Sequence, residues 1–218
     1  MSKARDNILA RLRAKSDEKA PIDLDRSLTS PDWNRSERID HFCQAMRSVR
    51  TEVHRVSEAD WAKKLAELAK EKQLRNLLYA PAGPLAEKIE ATWRNGDDLP
   101  ELVTREVEVD GWKEELFFDI DAAITSTRSG IAEVGAMILW PTPEEPRTFS
   151  LVPPVHIAVV EADKLHNTFA DAIAAEEWAA GMPTNALLIS GPSKSADIEQ
   201  TLAYGVHGPV ELIVLLVE

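Results

Sequence analysis

The sequence predicts an α/β fold: a three-layer sandwich on a largely parallel sheet, with a helical extension at its amino end. Three observations predict it. Short apolar runs recur at residues 76–80, 122–126, 136–140, 155–160, 186–189 and 210–217, and several are apolar on both faces, as in strands covered on both sides. Segments with helical apolar spacing lie between them, and these supply the covering layers. The chain has 218 residues, 44% of them apolar and 28% charged, enough to bury one large core without disulfides or metals.

The elements follow in order. Residues 2–15 read as a short helix whose stripe of Ile8, Leu9 and Leu12 docks on the domain or on a partner. Residues 16–35, with Pro21, Pro31 and several aspartates, read as an irregular connector. Ser36 can cap a second helix, which places Ile39, Phe42, Cys43 and Met46 on one buried face. Residues 51–56 form a strand candidate, and Ser57 with Asp60 opens a helix that carries Trp61, Leu65 and Leu68 inward. A strand at 76–80 precedes a helix with Pro84 in its first turn and Leu85, Ile89 and Trp93 on its apolar face. Residues 101–109 form a further strand candidate. The runs 122–126 and 136–140 flank a glycine-containing turn or short helix, and 155–160 is rich in β-branched residues. A long amphipathic helix is expected over 161–179 with Leu165, Phe169 and Ile173 inward, then a strand at 186–189. A helix over 195–204 is expected to stop at Gly205, and the last strand spans 210–217.

Charge and cysteine content exclude several functions. The formal net charge of −12 repels a phosphate backbone, and the only basic cluster is Arg5, Arg11, Arg13 and Lys15, so nucleic acid is not an expected partner. The single cysteine, Cys43, cannot form an internal disulfide, a four-cysteine iron–sulfur site or a zinc–cysteine site, and its place on a helix face reads as a core residue. No metal-ligand spacing occurs. No secretory leader pattern opens the chain and no apolar run approaches a membrane span, so the expected location is the cytoplasm.

Chemistry is expected outside the carboxyl ends of the strands. The run Ser190, Gly191, Pro192, Ser193, Lys194, Ser195 and Asp197 joins a strand to a predicted helix start. Its glycine, hydroxyls, free N–H groups and lysine suit an anion, and a well-capped helix without ligand is the alternative. His207 stands between Gly205 and Gly208 on a turn, and its imidazole suits acid–base work or bonds the turn itself. Glu133, between Gly130 and Gly135, faces a pocket or caps a turn. His156, in a buried strand, reads first as a satisfied core group and second as a ligand contact. The acid pairs Glu144–Glu145 and Glu176–Glu177 read as solvated surface, and His41, His54 and His166 receive no role.

Three segments in order, 147–160 (RTFSLVPPVHIAVV), 190–199 (SGPSKSADIE) and 205–209 (GVHGP), resemble the lactate-utilization protein C family, the LUD domain (LutC/YkgG type). The resemblance lies in residues 120–217, and residues 1–50 look like the family's variable helical amino-terminal region, leaving 51–218 as the LUD domain. It implies a fold of the NagB/RpiA/CoA-transferase class and a role in oxidising L-lactate to pyruvate. It further implies two cysteine-rich partner proteins that carry the iron–sulfur clusters, with no cofactor bound by this chain alone. The segment Glu133-Val134-Gly135-Ala136 departs from the family's Glu-Thr-Gly-Thr pattern by losing two hydroxyls. The leading expectation is a lactate-utilization subunit that binds a small anionic ligand, or an anionic part of a cofactor, at Ser190–Ser195 beside Glu133 and His207. A stand-alone CoA-transferase-like or cyclo-ligase-like enzyme with Glu133 as nucleophile or base is the second, and a non-catalytic regulatory binding module is the third.

Overall fold

The computed structural model describes residues 5, 7–11, 31–104, 111–196 and 202–218. Residues 7–11 are helical, and the remainder of the expected first helix and most of the connector lie outside the described residues. The chain divides into two compact units, Met1–Ser30 and Pro31–Glu218, and the second holds the sheet.

Helix α1 (Arg35–Ser48) starts at Asn34, whose side chain accepts from the Glu37 N–H while the Glu37 carboxylate accepts from the Asn34 N–H. This reciprocal cap displaces the expected one at Ser36, because Asn34 has the glutamate three residues on. Ile39, Phe42, Cys43 and Met46 form the buried face as the spacing predicts, and burial pushes the Cys43 thiol up from its ordinary value. Strand β1 (Glu52–Val56) leads to α2 (Trp61–Glu71), β2 (Asn76–Leu78), α3 (Ala86–Arg94), β3 (Glu101–Val103) and α4 (Lys113–Phe118). Residues 105–109 of the expected third strand lie outside the described residues.

The second half contains β4 (Ala122–Ser126), β5 (Ser129–Ile131), β6 (Ala136–Leu139), α5 (Thr148–Leu151) and β7 (Val155–Glu161). It continues through β8 (Leu165–His166), α6 (Phe169–Ala175), β9 (Leu187–Ile189), β10 (Lys194–Ala196), β11 (Leu202–Tyr204) and β12 (Glu211–Val217). Six strands make one sheet in the order β1-β12-β7-β4-β2-β3, every neighbouring pair parallel. A smaller sheet, β8-β5-β6-β9, returns across one face of it.

The alternation of side chains along the central strands builds the layers. Ile124, Ile157, Val159, Ile213 and Leu215 face α2 and α3, packing with Trp61, Leu65, Leu68 and Ile89. Their neighbours Ala158, Val160, Leu212, Val214 and Leu216 face the other way, against α1 and Met137 and Leu139 of the smaller sheet. The outer side of that sheet, Ile131 and Ile138, is closed by Ala172 of α6, Phe169 and Trp178. The result is the expected three-layer α/β sandwich. Among the described residues no helix is long and apolar enough to cross a membrane.

Of two expected helices, one is shortened from its amino end and the other is replaced by strands. Over 161–179, β7 continues to Glu161, a 3-10 turn covers Ala162–Lys164, β8 follows, and α6 begins only after the Thr168 cap. Leu165 is buried as expected, but through strand pairing with Gly130, while Ile173 is exposed. A Cβ at Gly130 would stand 2.6 Å from the Leu165 side chain, so the missing side chain admits this close pairing. Over 195–204, β10 and β11 pair antiparallel as a hairpin. The Gly205 N–H donates to the Ser193 carbonyl at 3.0 Å, whereas a ten-residue helix between them would separate its ends by about 15 Å.

Candidate functional site

Strand β4 flanks the point where the order of the parallel sheet reverses, with β2 and β3 on one side and β7, β12 and β1 on the other. Such points open crevices at the carboxyl ends of strands. A cleft of about 640 Å³ lies there, lined by Ser126, Thr127 and Arg128 after β4, Trp140 and Thr142 after β6, Asp163, Lys164 and His166 after β7, and Glu176 at the end of α6. That volume falls within the roughly 300–1,000 Å³ of small-molecule sites.

One part of it is a carboxylate surrounded by donors. Arg128 lies over the Trp140 ring at 3.7 Å from the centroid and donates from Nε to Glu176 Oε2. The Trp178 indole N–H donates to the same oxygen at 3.0 Å, and His166 Nε2 meets Glu176 Oε1 at 3.1 Å. Burial alone raises the Glu176 carboxyl; the polar groups of Ser129, Trp178 and Arg128 around it outweigh burial and hold it below the usual range. The Trp140 indole N–H is buried beside this cluster without a hydrogen-bond partner. The cleft's other charges are held in pairs of their own, Lys164 with Glu161 and Asp163 with Arg35.

A second carboxylate backs the Ser126 wall of the cleft. Glu145 Oε1 accepts from the Ser126 N–H at 2.7 Å, and Oε2 accepts from the Ser126 hydroxyl. Burial pushes the Glu145 carboxyl up from its ordinary value, against the opposing pull of these bonds. Glu145 and Glu176 are thus not the solvated surface that the acid pairs suggested: one member of each pair turns inward, while Glu144 and Glu177 are exposed. Behind the wall, Thr125 Oγ1 and His156 Nε2 are 2.9 Å apart, and burial pushes the imidazole down to about 3. His156 is fully buried, so it stands behind the cleft and not on its surface.

The other expected site residues lie elsewhere. The Ser193 N–H donates to the Pro209 carbonyl at 2.8 Å, which brings Ser193 and the His207 loop together. The same loop delivers the Val210 and Glu211 N–H groups to the Pro154 carbonyl, beside the starts of β7 and β12. It therefore sits at the amino edge of the large sheet, opposite the cleft. Strand β9 does lead into Ser190, but β9 belongs to the smaller sheet and runs antiparallel to β6. No helix start follows: Lys194 and Ser195 are in the β10 ladder, so the expected cradle of free helical N–H groups is absent among the described residues. Ser190, Lys194 and His207 are exposed, Gly191, Pro192, Ser193 and Ser195 are half-buried, and Asp197 lies outside the described residues. Glu133 is exposed on the β5–β6 turn, its N–H bonded to the Asn167 carbonyl. Gly135 follows at φ +58°, where a Cβ would meet Ala45 at 2.6 Å and the Met46 nitrogen at 2.8 Å. Among the described residues no hydrogen bond or ion pair joins Glu133 to the 190–195 or 205–209 loops.

The residues that build the cleft had a signal of their own. Ser126-Thr-Arg128-Ser-Gly130 follows a buried strand with hydroxyls, a cation and a glycine, the same pattern that singled out Ser190–Ser195. Among the described residues no group of three or more His, Cys, Asp or Glu side chains has the arrangement to hold a metal ion.

Fold and cleft define a three-layer α/β protein with a cleft of small-molecule size at the carboxyl edge of its parallel sheet. The sequence pattern of the LUD domain matches residues 39–217, and the chain belongs to that family, in its lactate-utilization protein C and YkgG type. It is 41% identical to the protein NMB1437 of Neisseria meningitidis over 98% of this chain and 93% of that one. It is 26% identical to lactate utilization protein C 1 of Bacillus mycoides over 98% of this chain and 97% of the relative. A crystal structure of a DUF162 family protein from Deinococcus radiodurans shares the fold, with a TM-score of 0.63 and 24% identity over 85% of this chain and 99% of that one.

Proposed function

We propose that this chain is a cluster-free subunit in the oxidation of L-lactate to pyruvate, binding a small anionic ligand in the cleft of Arg128, Trp140, His166 and Glu176. One observation carries the reading: a chain whose full-length relative in Bacillus mycoides is named for lactate utilization holds an arginine, an imidazole and an indole N–H converging on one carboxylate. Arginine forks match carboxylates, and the aromatic face beneath Arg128 fixes its plane. Electron transfer belongs to cysteine-rich iron–sulfur partners, since one buried cysteine cannot ligate a cluster. In this reading the protein works in the cytoplasm, and the family loops at Ser193 and His207, on the opposite edge, lie free for partner contact.

The test is a tagged pull-down from the native host grown on L-lactate, with iron and sulfide assayed in the eluate. Co-purifying cluster proteins, and iron that vanishes when their genes are deleted, are the expected result. Robust lactate oxidation by this chain alone would overturn the proposal.

A further inference from the structure

The Glu176 carboxylate occupies the place where a ligand carboxylate would be recognised. It is held by three donors from three separate stretches of chain: Arg128 after β4, His166 in β8 and Trp178 in the 3-10 turn beyond α6. Arg128 is further fixed by the Trp140 ring, on a fourth stretch. An isolated surface ion pair contributes little, whereas several groups joined in a network contribute more. Here the donors converge on two oxygens beside an open cleft, and the neighbouring cation Lys164 is bound to Glu161 and does not join them.

The carboxylate is delivered by a helix end. Glu176 caps α6, and the next residue, Glu177, takes the left-handed φ of +52° with which Arg50 and Gln73 also end α1 and α2. The buried Trp140 indole N–H adds an unsatisfied donor next to the cluster, so the polar capacity of the site exceeds what Glu176 uses.

From this geometry we infer that Glu176 is an intramolecular occupant of a carboxylate cradle, exchanged for the carboxylate of a small organic acid that enters the cleft. The inference rests on the cleft being the ligand site of the function proposed above. Ligand binding then exchanges one ion pair for another: the acid's carboxylate takes Arg128 and His166, and Glu176 turns out towards solvent. The exchange lowers apparent affinity, since only the fraction of molecules with Glu176 displaced can bind.

The experiment is calorimetric titration of the full chain with L-lactate, pyruvate and acetate, and with phosphate at matched ionic strength. Wild type is expected to bind the carboxylates weakly, and Glu176→Ala at least tenfold more tightly. Adding Arg128→Met to that variant is expected to abolish binding. Absence of saturable carboxylate binding in a folded Glu176→Ala protein overturns the inference, and so does phosphate binding as tight as carboxylate binding. Should Glu176→Ala fail to fold, tryptophan fluorescence of wild type titrated with L-lactate decides: a saturable change lost in Arg128→Lys supports the exchange, and a flat titration overturns it. Carboxylate binding with no co-purifying cluster proteins would sink the assembly reading and leave this one standing.

Discussion

Thr125 Oγ1 and His156 Nε2 meet at 2.9 Å across the neighbouring strands β4 and β7, both buried, one layer behind the cleft. The imidazole has no charged partner in the described residues to compensate its burial, and its Nδ1 has no hydrogen-bond partner there. It is held neutral, its pKa pushed down to about 3 by burial.

The sign of the pH dependence follows. A histidine lowered from its unfolded value stabilises the fold above that value and loses the contribution as pH falls, here across the window from about 6.5 down to about 3. The slope approaches about 1.4 kcal/mol per pH unit below 6.5. Urea unfolding of wild type and His156→Leu at pH 7.5 and 5 isolates it, since the other ionisable groups are common to both. At pH 7.5 the variant is expected to be less stable by roughly 1–3 kcal/mol, because the Thr125 hydroxyl loses its partner. At pH 5 the gap should shrink by about 2 kcal/mol. A gap unchanged between the two conditions would show that His156 is not buried neutral.

Glu145 carries the opposite sign. Burial raises its carboxyl while the Ser126 N–H and hydroxyl oppose the rise. A raised carboxyl contributes stability below its unfolded value and loses it as pH climbs through the folded value. Glu145→Gln keeps an acceptor for the Ser126 N–H and offers the Ser126 oxygen a donor, so it imitates the protonated acid. The variant is expected to match or exceed wild type at pH 8 and to lose its advantage near pH 4.5. Chemical denaturation at both pH values checks this, and a variant weaker than wild type at pH 8 would mean that the ionised carboxylate is the stabilising form.

The parallel core was legible because burial on both faces leaves a near-continuous apolar run, as within Val155–Glu161 and Glu211–Val217. The 161–179 segment was not, since Leu165 and Phe169 have helical spacing, yet Leu165 is claimed by pairing with the distant Gly130. The 195–204 hairpin depends on a closure between Ser193 and Gly205 that no local pattern announces. The site divides in the same way. Ser126–Arg128 could be found as a polar strand end, but the role of Glu176 is set by Arg128, 48 positions away, and Glu145 looks like any surface acid until Ser126 meets it. His166 is invisible as a site residue in sequence, because its partner comes from the helix that follows.

Helix α1 supplies a further test of what closes the sheet. Phe42 is fully buried between α1 and the two sheets, and a Cβ on Gly130 would stand 3.3 Å from its ring. Cys43 and Met46 continue the same face against Val53, Met137 and Val214. Truncating Phe42 removes an aromatic ring from a site walled by strands of both sheets, where collapse is limited, and should cost about 3–5 kcal/mol. Phe118, at 78% exposure, is the matched control, and Phe118→Ala should change stability by less than about 0.5 kcal/mol. Equilibrium urea denaturation of the two variants compares them directly. Equal effects would make α1 an appendage, and the Val160–Val214 face of the sheet would then need a different cover.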